Sequence, residues 1–139
     1  MSLAHPGSVN IRIDASCDGL LKCAPPLLMQ VLTNLIENAI YAAGPGGWVH
    51  VRTSAKETTF CIELSDSGPG VPLQLRERVF EPFFTTKPAG VGTGLGLSLA
   101  RDIVHRHGGV LEIRDRGTQT CFVIELPNYS SLDRSPRQL

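Results

Sequence analysis

The sequence predicts an α+β domain, a two-layer α/β sandwich in which one mixed, mostly antiparallel sheet carries helices on one face. Two kinds of segment carry this expectation. Short runs that alternate apolar and polar residues are joined by short turns, and two longer runs repeat apolar residues every three to four positions. A third observation sets the domain count: 139 residues, 42% of them hydrophobic, fill a single core.

Taken in order, VNIRIDA (9–15) alternates as a half-buried strand does, and a second short strand is expected at 20–23. Pro25 and Pro26 suit the first turn of a helix, and the run to Ala43 places Leu28, Val31, Leu32, Leu35, Ile36, Ala39 and Ile40 on one face. GPGG (44–47) ends it. WVHVRTSA (48–55) and TFCIELSD (59–66) alternate again and, joined through KET, predict a hairpin. PLQLRERVF (72–80) predicts a short amphipathic helix. Residues 95–107 predict a second long helix closed by Gly108 and Gly109, followed by strands at 110–115 and 120–126. The domain is expected over 9–127, after a leader at 1–8 that is partly of cloning origin and before a disordered polar tail at 128–139.

Lysine plus arginine and aspartate plus glutamate balance at 13 each, so no overall field draws in nucleic acid or an anionic membrane. Any anion site must be built locally, and no nucleic-acid partner is expected. The sequence has no apolar run of about 18 residues, and MSLAHPGS lacks the basic and then apolar parts of a signal peptide. A soluble, cytoplasmic chain is the expectation. Cys17, Cys23, Cys61 and Cys121 form no CxxC pair, which favours separate thiols over a zinc site or disulfide framework.

Gln30, Asn34, Glu37, Asn38 and Tyr41 share a narrow arc of the first helix, beside its apolar face. A solvated face would more naturally use Lys, Glu or Arg, because asparagine is a poor helix former. A carboxamide oxygen is a hard, neutral ligand for Mg²⁺, which takes few protein groups and completes its shell with water and substrate phosphates. Asn38 is the candidate. Two glycine segments add to this. DSGPG (66–70) ends a strand on a carboxylate, and GVGTGLGLS (90–98) feeds a helix N-terminus, where free backbone amides bind anions. It matches neither GxxxxGK[ST] nor GxGxxG, so a phosphate loop of another kind is required.

Four segments, NLIENAIYA (34–42), DSGPG (66–70), FEPFFTTK (80–87) and GTGLGLS (92–98), resemble in order and spacing the asparagine, first-glycine, phenylalanine and second-glycine boxes of sensor histidine kinases. The resemblance covers 9–127 and implies the Bergerat ATP-binding fold shared with gyrase and MutL. It implies that Asn38 is the Mg²⁺ ligand and that Asp66 accepts a hydrogen bond from the adenine amino group. Gly68 and Gly70 would let the backbone approach the base, with Thr120 near the adenine. Lys87 would contact phosphate when a lid closes. Gly92, Thr93, Gly94, Leu95, Gly96 and Leu97 would form that lid and supply amides to the β- and γ-phosphates. Phe80, Phe83 and Phe84 read equally as core or as lid hinge.

Within this superfamily the gyrase-like ATPases and the anti-sigma serine kinases carry a general-base glutamate one turn before the magnesium asparagine. Asn34 occupies that position here, and an amide takes no proton from water or a serine hydroxyl. In a histidine kinase the acceptor imidazole is itself the nucleophile, so the domain need only position ATP. Asn34 and Lys87 are therefore the catalytic candidates, and Glu37, about 100° from the Asn38 direction, is given less weight as a base. His5, His50, His105 and His107 lack the surroundings of a phosphoacceptor. The resemblance then implies the catalytic domain of a longer, homodimeric kinase whose upstream dimerisation helices carry the histidine, with a response-regulator receiver as onward acceptor. The isolated domain is expected to be monomeric and the parent membrane-anchored or free. The alternatives are an anti-sigma-type serine kinase, which calls for glutamate at position 34, and a non-catalytic nucleotide-binding module, which calls for eroded boxes.

Overall fold

The computed structural model describes residues 2–3, 8–15, 25–87 and 94–128. Its sheet runs β1-β2-β3-β4-β6-β5, with β1 at Ser2–Leu3, β2 at Asn10–Ala15, β3 at Trp48–Ala55, β4 at Thr59–Asp66, β5 at Val110–Arg116 and β6 at Gln119–Pro127. Every neighbouring pair is antiparallel except β2 and β3. That parallel pair needs a crossover, and helix α1 (Pro25–Ala43) supplies it. Helix α2 (Gly96–Arg106) precedes β5 and packs beside α1.

Both helices cover one face of the sheet. Val31, Leu35 and Ala39 of α1 and Ala100, Ile103 and Val104 of α2 meet Val49, Val51, Ile62, Leu64, Leu111, Phe122, Ile124 and Leu126 in a single core. Register explains why the strands present one apolar side: Val51 stands opposite Leu64, Ile62 opposite Ile124, and Ile124 opposite Leu111. The opposite face is polar and held by ion pairs, Arg116 with Glu63 at 2.7 Å and Arg114 with Glu112 and Glu125 at 2.8 and 2.7 Å. Such pairs contribute little to stability individually.

The expected helix over 72–80 is corrected to two short 3₁₀ turns, Leu73–Leu75 and Arg78–Phe80. Pro82 disfavours helical geometry at Glu81, where the backbone is extended, which leaves so short a segment no room to propagate an α-helix. Arg76 fixes the segment instead, donating from Nε to the Val71 carbonyl at 3.1 Å and from its terminal nitrogens to both Asp115 oxygens. The strand expected at 20–23 lies outside the described residues, as do Cys17 and Cys23. Residues at both expected boundaries join the fold. Ser2–Leu3 pair with β2, and Asn128 is buried, its amide donating to the Lys56 carbonyl at 2.8 Å. Cys61 and Cys121 are free thiols, and the described residues contain no cluster of three metal-ligating His, Cys, Asp or Glu side chains.

Candidate nucleotide site

The polar arc of α1 faces a cavity of about 380 Å³. Asn34, Glu37 and Asn38 form one wall, the 70–79 segment a second, and residues 84–87 with the start of α2 a third. The apolar part of the lining, Val71, Leu75, Val79 and Phe84, suits a flat organic ring, and the polar part suits an anion. The sequence reading missed these apolar wall residues as site residues. Leu75 and Val79 belong to the run whose spacing predicts a helix face, and Phe84 reads in the sequence as core or lid hinge.

Asn34 and Asn38 differ in what they have left to offer. The Asn34 amide is engaged at both ends: Oδ1 accepts from Gln30 Nε2 at 2.8 Å, and Nδ2 donates to the Gly96 carbonyl at 3.1 Å. It ties α1 to the beginning of α2. Asn38 is half-buried in the cavity wall, and its carboxamide has no protein partner among the described residues. Its oxygen is therefore free to coordinate a hard cation. Glu37, despite its angular offset, also lines the cavity.

At the far end the strand β4 delivers Asp66. Its Oδ1 accepts the Gly68 amide at 2.8 Å, and Oδ2 has no hydrogen-bond partner among the described residues. Burial pushes this carboxyl above the usual carboxylate range, and the Gly68 amide pulls it part of the way back. Asp66, Gly68 and Thr120 do not line the 380 Å³ cavity itself; Gly70 connects them to it. Gly70 has φ +77°, and a Cβ there would stand 2.7 Å from Thr120 Oγ1. Only glycine lets the chain pass so close.

The start of α2 closes the cavity. Gly94, Gly96 and Leu97 line it, and no side chain among the described residues caps the helix, an arrangement suited to an anion at its first amides. Gly94 (φ +71°) accepts from the Phe83 amide at 2.7 Å, and Phe83 is itself in the left-handed region at φ 68°. Leu95 is exposed and does not line the cavity. Gly92 and Thr93 lie outside the described residues. Lys87 lines the cavity and holds its ammonium 4.6 Å from the centroid of the Tyr41 ring. Phe80 is buried, edge-on to Phe122 at 6.3 Å, so its role is core; Phe84 is cavity wall, and Phe83 is exposed.

A family profile described as "Histidine kinase-, DNA gyrase B-, and HSP90-like ATPase" matches residues 23–130. The C4-dicarboxylate transport sensor protein DctB of Rhizobium meliloti (strain 1021) is 36% identical over 119 residues, 84% of this chain and 19% of that protein. The chain thus spans about a fifth of that relative's length. Among solved structures, the catalytic domain of histidine kinase ThkA superposes with a TM-score of 0.75 at 35% identity, covering 86% of this chain and 80% of that one. ThkA in complex with the response regulator protein TrrA gives 0.72 at 31% identity, over 86% of this chain and 34% of that one. A mixed sheet with both helices on one face, an asparagine-lined cavity and an uncapped glycine-rich helix start all agree with that likeness: the chain belongs to the histidine kinase-, DNA gyrase B- and HSP90-like ATPase family.

Proposed function

We propose that the chain binds ATP with Mg²⁺ and serves as the catalytic domain of a sensor histidine kinase. The observation that carries this reading is the convergence on one cavity of a free carboxamide (Asn38), a cation (Lys87) and the uncapped start of α2, with the Asp66 carboxylate beyond Gly70. A carboxylate is acceptor only, so Asp66 selects the adenine amino group over a carbonyl. Asn38 would hold the magnesium, which neutralises phosphate charge, and the amides of Gly94 to Leu97 with Lys87 would fix the terminal phosphates. The imidazole nitrogen of a histidine on a separate dimerisation segment would attack the γ-phosphorus. The bond to the β–γ bridging oxygen breaks, and ADP leaves with the electron pair. A receiver domain of a response regulator is the onward acceptor in this reading, which the ThkA complex supports by analogy.

Asn34 contributes by bridging Gln30 and Gly96 rather than by moving a proton. Glu37 gives a hydrolase reading its one support, since it lines the cavity and could act on water. Calorimetric titration of the chain with ATP and Mg²⁺ separates the two. Binding without continuing heat is expected of a kinase domain lacking its histidine. Sustained heat that disappears in Glu37→Gln would overturn that reading in favour of hydrolysis, and absence of binding would overturn both.

A further inference from the structure

We infer that Tyr41 is a positioning residue for Lys87, holding the lysine charge over the phosphate end of the cavity before nucleotide arrives; this rests on the ATP-binding reading. Tyr41 follows Glu37 and Asn38 by one turn on the same arc of α1, and about half of its surface is exposed. An exposed aromatic at that position gains nothing from the core. Its ring lies 4.6 Å from Lys87 Nζ, while the Lys87 backbone amide donates to Thr85 Oγ1 at 3.0 Å. The lysine is thus held at its backbone amide and at its ammonium.

The kind of contact matters. Among the described residues no carboxylate pairs with Lys87, although Glu37 lines the same cavity. An ion pair would neutralise the ammonium and occupy its donors. A ring face attracts the cation but accepts no full hydrogen bond, so all three N–H donors stay free for phosphate oxygens. A free lysine side chain also loses considerable rotamer freedom when it is immobilised. Tyr41 removes part of that loss in advance, as preorganisation does generally. Tyr41 itself stands outside the cavity lining, so it acts through Lys87 and touches no substrate atom.

The experiment is calorimetric titration of the 139-residue chain with MgATP and with adenosine, using Tyr41→Leu, Tyr41→Phe, Lys87→Gln and the Tyr41→Leu/Lys87→Gln double variant. Tyr41→Leu should weaken MgATP by about two- to fivefold, the range of an exposed cation–π contact, and leave adenosine unchanged. Tyr41→Phe, which keeps the ring, should restore wild-type affinity. In the Lys87→Gln background Tyr41→Leu should have no further effect. Equal weakening of adenosine and ATP, failure of Phe to rescue, or an undiminished Tyr41→Leu effect without the lysine would each overturn the assignment. A wild-type chain that binds neither ligand would instead bring down the nucleotide reading on which the assignment stands.

Discussion

Asp66 has two oxygens with different duties, and the difference is testable. One is held by the Gly68 amide and the other has no hydrogen-bond partner among the described residues. Replacing it by asparagine keeps the shape but removes the charge-assisted hydrogen bond, which is worth about 1.5–3 kcal/mol. Asp66→Asn should therefore lower ATP affinity by about ten- to a hundredfold in a calorimetric titration. The direction of its pKa sets a pH dependence. Because burial raises the carboxyl, the acceptor form is lost at a higher pH than for an ordinary aspartate. Nucleotide affinity should fall on acidification from above that ordinary range, and Asp66→Asn should flatten the profile. Folding stability responds in the opposite sense: this group's contribution is present below the unfolded pKa and is lost as pH rises through the folded one. Asn38 makes a separate prediction. Asn38→Ala should weaken ATP in the presence of Mg²⁺ and change it little in EDTA, since the carboxamide has no hydrogen-bond partner among the described residues.

Between elements, the decisive contacts are few. Asn34 joins α1 to α2, the Phe83 amide joins the 80–87 segment to Gly94, and Arg101 joins α2 to the 3₁₀ turns. The last contact combines a 3.1 Å ion pair to Glu77 with a guanidinium 4.5 Å from the Phe80 ring centroid. These links hold the cavity walls at their spacing. Gly94 is tightly constrained. It has φ +71°, and a Cβ there would lie 2.5 Å from the Phe83 backbone, which cannot yield as a side chain tip would. Gly94→Ala should cost about 1–3 kcal/mol of stability in urea denaturation and should weaken ATP binding together with it. Loss of binding at unchanged stability would show that Phe83 moves to accommodate the methyl group. Sequence periodicity found both long helices and most of the strands, because their apolar spacing is dictated by a single flat sheet face. It misread 72–80, where apolar side chains point into the site and arginine hydrogen bonds replace helical ones.

The whole molecule has one core, and its stability should be sensitive at the centre of it. Leu35 is 1% exposed between the sheet and α2, so Leu35→Ala should cost about 2–5 kcal/mol, measured by chemical denaturation. By contrast, substitutions in the ion-paired outer face should stay near zero. Within the described residues no helix is long and apolar enough to cross a membrane. The residues of the candidate site were legible in the chain itself: a carboxamide stripe, a carboxylate before paired glycines and a glycine-rich helix start are local patterns, and local patterns survive in a sequence. The sequence alone also determined the single core and the order of helices and strands, because burial of one face imposes a period on each element. Only the tertiary structure decided which asparagine bridges the two helices and which has no partner among the described residues, that Glu37 and an apolar wall reach the cavity, and that Tyr41 meets Lys87. Those facts depend on hydrogen bonds and ring contacts between residues far apart in the chain, and no periodicity records them.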